Sequence, residues 1–206
     1  MTFLTFLMAA VILAVTPGPG MAYVVARTVA GGRAEGLASC LGTGLGGMLH
    51  VLAAALGLSL LIAQSAVAFG LLKYIGAAYL VYLGLRMLLA RQATPAAAQA
   101  PVVQGPRRAL LEGIVVEALN VKTALFFLAF LPQFVVPNEP LTQQLMLLGS
   151  ICVALNTAVD VLAVFAAHRL LQSSTARATR ARLMTRVSGV TMLGLGAWLA
   201  LARRNA

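Results

Sequence analysis

Four ionisable side chains, His50, Glu117, Lys122 and Asp160, sit deep inside long apolar runs. In a bilayer each charge would cost about 2.5–3.5 kcal/mol even on the most lenient insertion scale, so each needs a partner or a wet cavity. Their chemistry is complementary: the Lys122 ammonium can hold a carboxylate, while Glu117 and Asp160 can hold an ammonium or carry a proton. The imidazole of His50 is of the type that can relay one. Gly149, Cys152, Asn156 and Asp160 fall on one stripe at helical steps of three and four. Such a stripe faces a bundle interior, which makes Asp160 the preferred counter-charge to Lys122, or a proton carrier, with Asn156 beside it. Glu117 shares a face with Gly113, Asn120 and Ala124. Lys122 would lie about 140° around from it on a regular helix, so the sequence neighbour is not the obvious partner. His50 shares a face with Gly42, Gly46 and Gly57. Tight helix packing with the imidazole hydrogen-bonded across the contact is the favoured reading, and a substrate contact or proton relay the rival one.

The elements that must position these groups include one that is broken. Residues 13–24 read LAVTPGPGMAYV. Pro17 and Pro19 lack backbone N–H groups, so the carbonyls of Leu13 and Val15 lose their helical donors, and Thr16 and Gly18 are pushed out of helical dihedrals. A helix from Phe3 to Val15 is about 20 Å long against a hydrocarbon thickness of roughly 30 Å, which puts the break near mid-membrane. Irregular backbone at that depth must be buried in protein or line a cavity, and discontinuous helices commonly bind solutes and ions there. Thr16, Pro17, Gly18, Pro19 and Gly20 are therefore candidate substrate contacts, with His50, Asn120 and Lys122.

A mean hydropathy of +0.94 with 10% charged residues indicates a polytopic membrane protein. The uncharged N-terminus lacks the basic region of a cleavable signal and reads as a true first span. Six apolar runs follow one another, at 3–26, 37–63, 69–90, 109–136, 141–168 and 184–202. The predicted fold is all-α, one transport domain of six transmembrane helices in two three-helix halves, 1–92 and 109–206, joined by an Ala/Pro/Gln-rich linker at 93–108. Three spans per half make an inverted repeat the expected plan, with a broken first helix. Of the Lys and Arg residues, 11 fall in the connections at 27–35, 86–108 and 169–186, against 3 on the other side. The positive-inside rule then puts those connections in the cytoplasm and both termini outside.

The same distribution removes nucleic acid as the reason for a net charge of +10. Cys40 and Cys152 lie in apolar runs without metal-type spacing and read as packing residues. There is no P-loop, HExxH or GxSxG, so ATP-driven transport by this chain alone is not expected, and no cofactor is implied. A divalent-metal exporter could gather His50, Glu117 and Asp160, but Lys122 would repel the ion. An intramembrane lipid-handling enzyme would need a nucleophile beside a base, and Ser39, Ser59, Ser65 and His50 offer no such arrangement.

Four segments carry a family resemblance: TPGPG, GTGLGGMLHVLAAALGLSLL, LLKYIGAAYLVYLGLRML and EGIVVEALNVKTALFFLAFLPQF. Together they resemble the LysE/RhtB family of bacterial amino-acid exporters, over residues 3–136 and more loosely to the end. The resemblance implies an inner-membrane carrier that expels amino acids such as homoserine, threonine, leucine or lysine on the proton gradient, and that pairs in the membrane as a homodimer. A mainly apolar pocket favours a neutral substrate. Two positions depart from the family pattern. Gly20 stands where an Asn is usual, and Val121 replaces the proline of Asn-Pro-Lys, which weakens the case for a second broken helix in the fourth span although Asn120 and Lys122 are retained.

Overall fold

A computed structural model describes residues 3–58, 66–89, 103–136 and 139–170, with residues 190, 193, 194, 197, 200 and 201 singly. The described residues are helical, with no strand among them. Residues 93–102 of the linker lie outside them, as does most of the sixth apolar run.

Helix α1 covers Phe3–Val15 and stops where the prolines require it, one residue before Thr16. Helix α2 runs Pro19–Ala53, with a non-helical Gly32 at φ 73° and ψ −166° inside it. That conformation is open to glycine at little cost, and it folds the chain back so that residues 19–31 complete the span begun by α1 while residues 33–53 start the next. The connection expected at 27–35 is thus a single-residue turn between helices. Ala54–Leu58 finishes the second span as a π-helical turn. Helix α3 is Ala66–Leu89 and helix α4 is Pro106–Ala118. Helix α5, Val121–Leu125, continues through a π turn at Phe126–Phe130 and a 3₁₀ turn at Leu131–Phe134. Helix α6 is Leu141–Leu170.

The fourth span is broken despite Val121: α4 and the Val121–Phe134 segment meet at 46°. The case weakened by the missing proline is restored by Asn120. Its backbone is extended, at φ −76° and ψ 98°, and its side chain accepts a hydrogen bond from the Lys122 backbone N–H. An Asn N-cap starts a new helix as effectively as a proline ends the old one.

Small residues bring α2 and α4 together. A Cβ on Gly42 would collide with the Leu110 carbonyl, and one on Gly46 would lie 2.7 Å from the Ile114 carbonyl. This close approach is the packing role expected of the Gly42–Gly46–His50 face. Toward the ends of the chain described by Phe3 and Phe134, a large apolar core gathers Phe6, Leu13, Phe126, Phe127, Phe130 and Leu145. Phe126 and Phe130 stack with centroids 4.8 Å apart. Exposed Leu41, Leu45, Leu49, Leu71, Leu147 and Leu162 form the lipid-facing exterior proper to a bundle in hydrocarbon.

Candidate functional site

The last turn of α1 leaves carbonyls without helical donors. Thr16 satisfies part of the turn locally, its N–H donating to Ile12 O at 3.1 Å and its hydroxyl to the same oxygen at 2.6 Å. Lys122 supplies the rest: its Nζ donates to Leu13 O at 3.0 Å and to Thr16 O at 2.6 Å. The Lys122 chain lies over Gly18, where a Cβ would stand 3.1 Å from its Cδ. On the other side of the break, Gly18 is the N-cap of α2 and offers no side-chain cap, and Pro19 takes the first helical position. The amides of Gly20 and Met21 follow, in the uncapped first turn where a helix favours an anion.

The second break is held just as closely. His50 Nε2 is 2.8 Å from the carbonyl oxygen of Glu117, which only accepts, so this nitrogen carries the proton. The imidazole stacks on Phe127. The Glu117 carboxylate accepts from Asn120 Nδ2 at 3.0 Å and from the Thr123 hydroxyl at 2.6 Å. Its Oε2 presses on Gly20, where any Cβ would collide with it. The glycine that departs from the family pattern therefore makes room for a carboxylate. The second break thus places its cation at the carboxyl end of α1 and its anion at the amino end of α2, the sign each helix end prefers.

Asp160 comes from α6 and is 7% exposed. It accepts one long hydrogen bond, 3.3 Å from the Thr43 hydroxyl. The described ion pairs are Arg27–Glu35 and Arg108–Glu112, so the expected direct pair of Lys122 with Asp160 is not made in this conformation. The α1 carbonyls are the nearer partners for the ammonium.

These groups converge on one cavity, lined by Thr16, Gly18, Gly20, Glu117, Asn120, Lys122, Asn156 and Asp160, together with Leu13, Met21, Thr43, Thr123, Val153 and Thr157. His50 stands outside the lining, behind Glu117, and Pro17 and Pro19 act through the break they create. The cavity, about 30 Å³, has room for a water or two. Thr43, Thr123 and Thr157 escaped the sequence reading because a hydroxyl on an apolar helix usually bonds its own backbone, as Thr28 does to Val24 O at 2.7 Å. Among the described residues no three His, Cys, Asp or Glu side chains converge as a metal site.

The LysE type translocator family model matches residues 11–203. An uncharacterized membrane protein of Vibrio cholerae is 31% identical over 206 residues, covering 98% of this chain and 97% of that protein. A homoserine/homoserine lactone efflux protein of Salmonella typhi is 33% identical, over 70% of this chain and 69% of that protein. A leucine efflux protein of Salmonella choleraesuis is 28% identical, over 69% and 67%. No solved structure matches.

Proposed function

We propose, since the chain belongs to the LysE-type translocator family, that it is an amino-acid exporter of the bacterial inner membrane, a secondary transporter that exchanges its substrate for protons. The observation that carries this reading is the buried cavity at which two broken helices meet, with one ammonium and two carboxylates in its wall. The efflux-named relatives support the amino-acid class.

A zwitterion needs a donor-rich cradle and an anion a few ångströms apart. The amides of Gly20 and Met21 at the amino end of α2 suit a carboxylate, with Lys122 adding positive potential nearby. Asp160 suits the ammonium, because Glu117 already has two donors on its carboxylate and Asp160 has one distant donor. Asn156, Thr43 and Thr157 beside Leu13 and Val153 suit a small neutral side chain such as that of threonine, homoserine or leucine. Drug-sized ligands occupy roughly 300–1,000 Å³, so the walls must separate to admit even a small amino acid, as rocking of two halves would allow. Protonation of Asp160 from outside would discharge the ammonium and reset the carrier, with Glu117 as the alternative proton site. The basic connections, Arg27 and Arg33 among them, are assigned to the cytoplasm, and both termini to the periplasm.

The test is efflux from proteoliposomes loaded with threonine, homoserine, leucine or lysine, with and without a pH gradient. The expected result is gradient-stimulated export of a neutral amino acid, lost in Lys122→Ala protein that still inserts; full export by that variant contradicts the site.

A further inference from the structure

The chain topology divides the surroundings of the cavity into two seals. Moving along α2 from Gly20, back along its second segment from Thr43, and forward along α6 from Asp160, the next buried side chains are Val24, Cys40 and Val164. They pack together as a small cluster of their own. One turn beyond, at the end assigned to the cytoplasm, lie Arg27 and Glu35, on either side of the Gly32 turn.

Glu35 is 2% exposed and fully engaged. Its Oε2 accepts from Arg27 Nη2 in a close ion pair, and its Oε1 accepts from two backbone amides at the end of the linker that leads into the second half, Gln104 N at 2.9 Å and Gly105 N at 2.6 Å. The backbone is shaped around this carboxylate. A Cβ on Gly31 would collide with it, and Gly105 adopts φ 86° to present its amide before α4 begins at Pro106. A carboxylate that accepts two backbone amides and a guanidinium is bound by the strong, charge-assisted class of hydrogen bond.

We infer that Glu35 is the gating residue of transport: it latches the segment leading into α4 to the first half, and with the Val24–Cys40–Val164 layer it closes the cytoplasmic side of the cavity. Opening toward the cytoplasm releases Gln104 and Gly105 from Glu35 and parts the three apolar side chains, exposing the Cys40 thiol. This rests on the exporter reading for its direction, cytoplasm to outside, and on the structure for the contacts that must break.

Cys40 is a built-in reporter. With Cys152→Ser in place, Cys40 is the single thiol, and its reaction with a membrane-impermeant maleimide is followed in inside-out and right-side-out vesicles. Glu35→Gln is expected to speed the reaction roughly tenfold in inside-out vesicles by weakening the closed state, with no change from the other face. Equal rates in the two proteins, or acceleration from the outer face, would overturn the gate. A second arm does not depend on that variant folding. With Cys40 and Cys152 replaced by Ser, Glu35→Cys and Gln104→Cys are joined by a short cleavable bis-thiosulfonate. Export stops on joining and returns on reduction if the latch must open; export that continues while joined overturns it. Absence of amino-acid flux in the unmodified chain would defeat the exporter reading, whereas the Cys40 rates judge the gate by themselves.

Discussion

Toward the end assigned to the periplasm, the cavity is backed by Phe6, Phe126, Phe127, Phe130, Leu131 and Leu145, all essentially inaccessible and part of a continuous core. Toward the cytoplasmic end it is backed by Val24, Cys40 and Val164, and then by one buried ion pair with two backbone amides. The first seal is thick, aromatic and held by dispersion over many atoms; the second is thinner, a three-residue apolar cluster followed by small or polar buried side chains such as Thr28 and Ser39 and by a few directional bonds. Packed cores yield all at once or not at all, whereas a latch of a few directional bonds opens by exchanging each partner for water, at the net cost of those bonds alone. Under the proposed gate, the thin side is the one that opens to receive substrate.

Truncating each seal sharpens that contrast. Phe130→Ala in the thick seal leaves a large void and should lower stability in detergent by about 3–5 kcal/mol, read as a fall in melting temperature, without raising Cys40 reactivity from the cytoplasmic side. Val164→Ala in the thin seal removes far less, about 1.5 kcal/mol by its lost methyl groups, yet should raise Cys40 reactivity from that side. Equal effects of the two on Cys40 would dissolve the distinction. Between the seals, Gly20→Ala forces the Glu117 carboxylate off the amino end of α2. It should cost about 1–3 kcal/mol and reduce export, read as lower flux at unchanged protein level.

The smallest expected effect is that of pH on the latch. Burial pushes the Glu35 carboxyl up, but the amides of Gly105 and Gln104 and the Arg27 guanidinium outweigh it and hold the group below its ordinary 4.5. A lowered value means the contribution is complete above the ordinary value and is lost only as pH falls through the lowered one. Cys40 reactivity from the cytoplasmic side should therefore be flat between pH 6 and 8, apart from the thiol's own intrinsic dependence measured on unfolded protein.

The break in the first span was legible because proline chemistry is local: Pro17 and Pro19 fix where α1 stops and α2 starts. Lys122, Asn120, Asn156 and Asp160 were legible as site candidates because a polar group deep in an apolar run demands a partner. Which partner was not. Lys122 reaches α1 carbonyls 106 and 109 residues away in sequence, a contact set by how two spans cross. The break at Asn120 was left open because Val121 takes the place of proline, and the N-cap side chain that makes it is a weaker signal in sequence. The connection at 27–35 read only as a basic loop, and it is the Gly32 turn, invisible as such in a glycine-rich stretch, that buries Arg27 and Glu35.

The central claim is that the cavity between the two breaks holds an amino acid, its ammonium on Asp160. Its most direct test is counterflow of labelled threonine, homoserine and leucine in proteoliposomes of unmodified and Asp160→Asn protein. Uptake of at least one of them is expected with the unmodified protein and none above background with the variant, at equal insertion of both. Undiminished counterflow in Asp160→Asn, or no amino-acid counterflow in either, would contradict it.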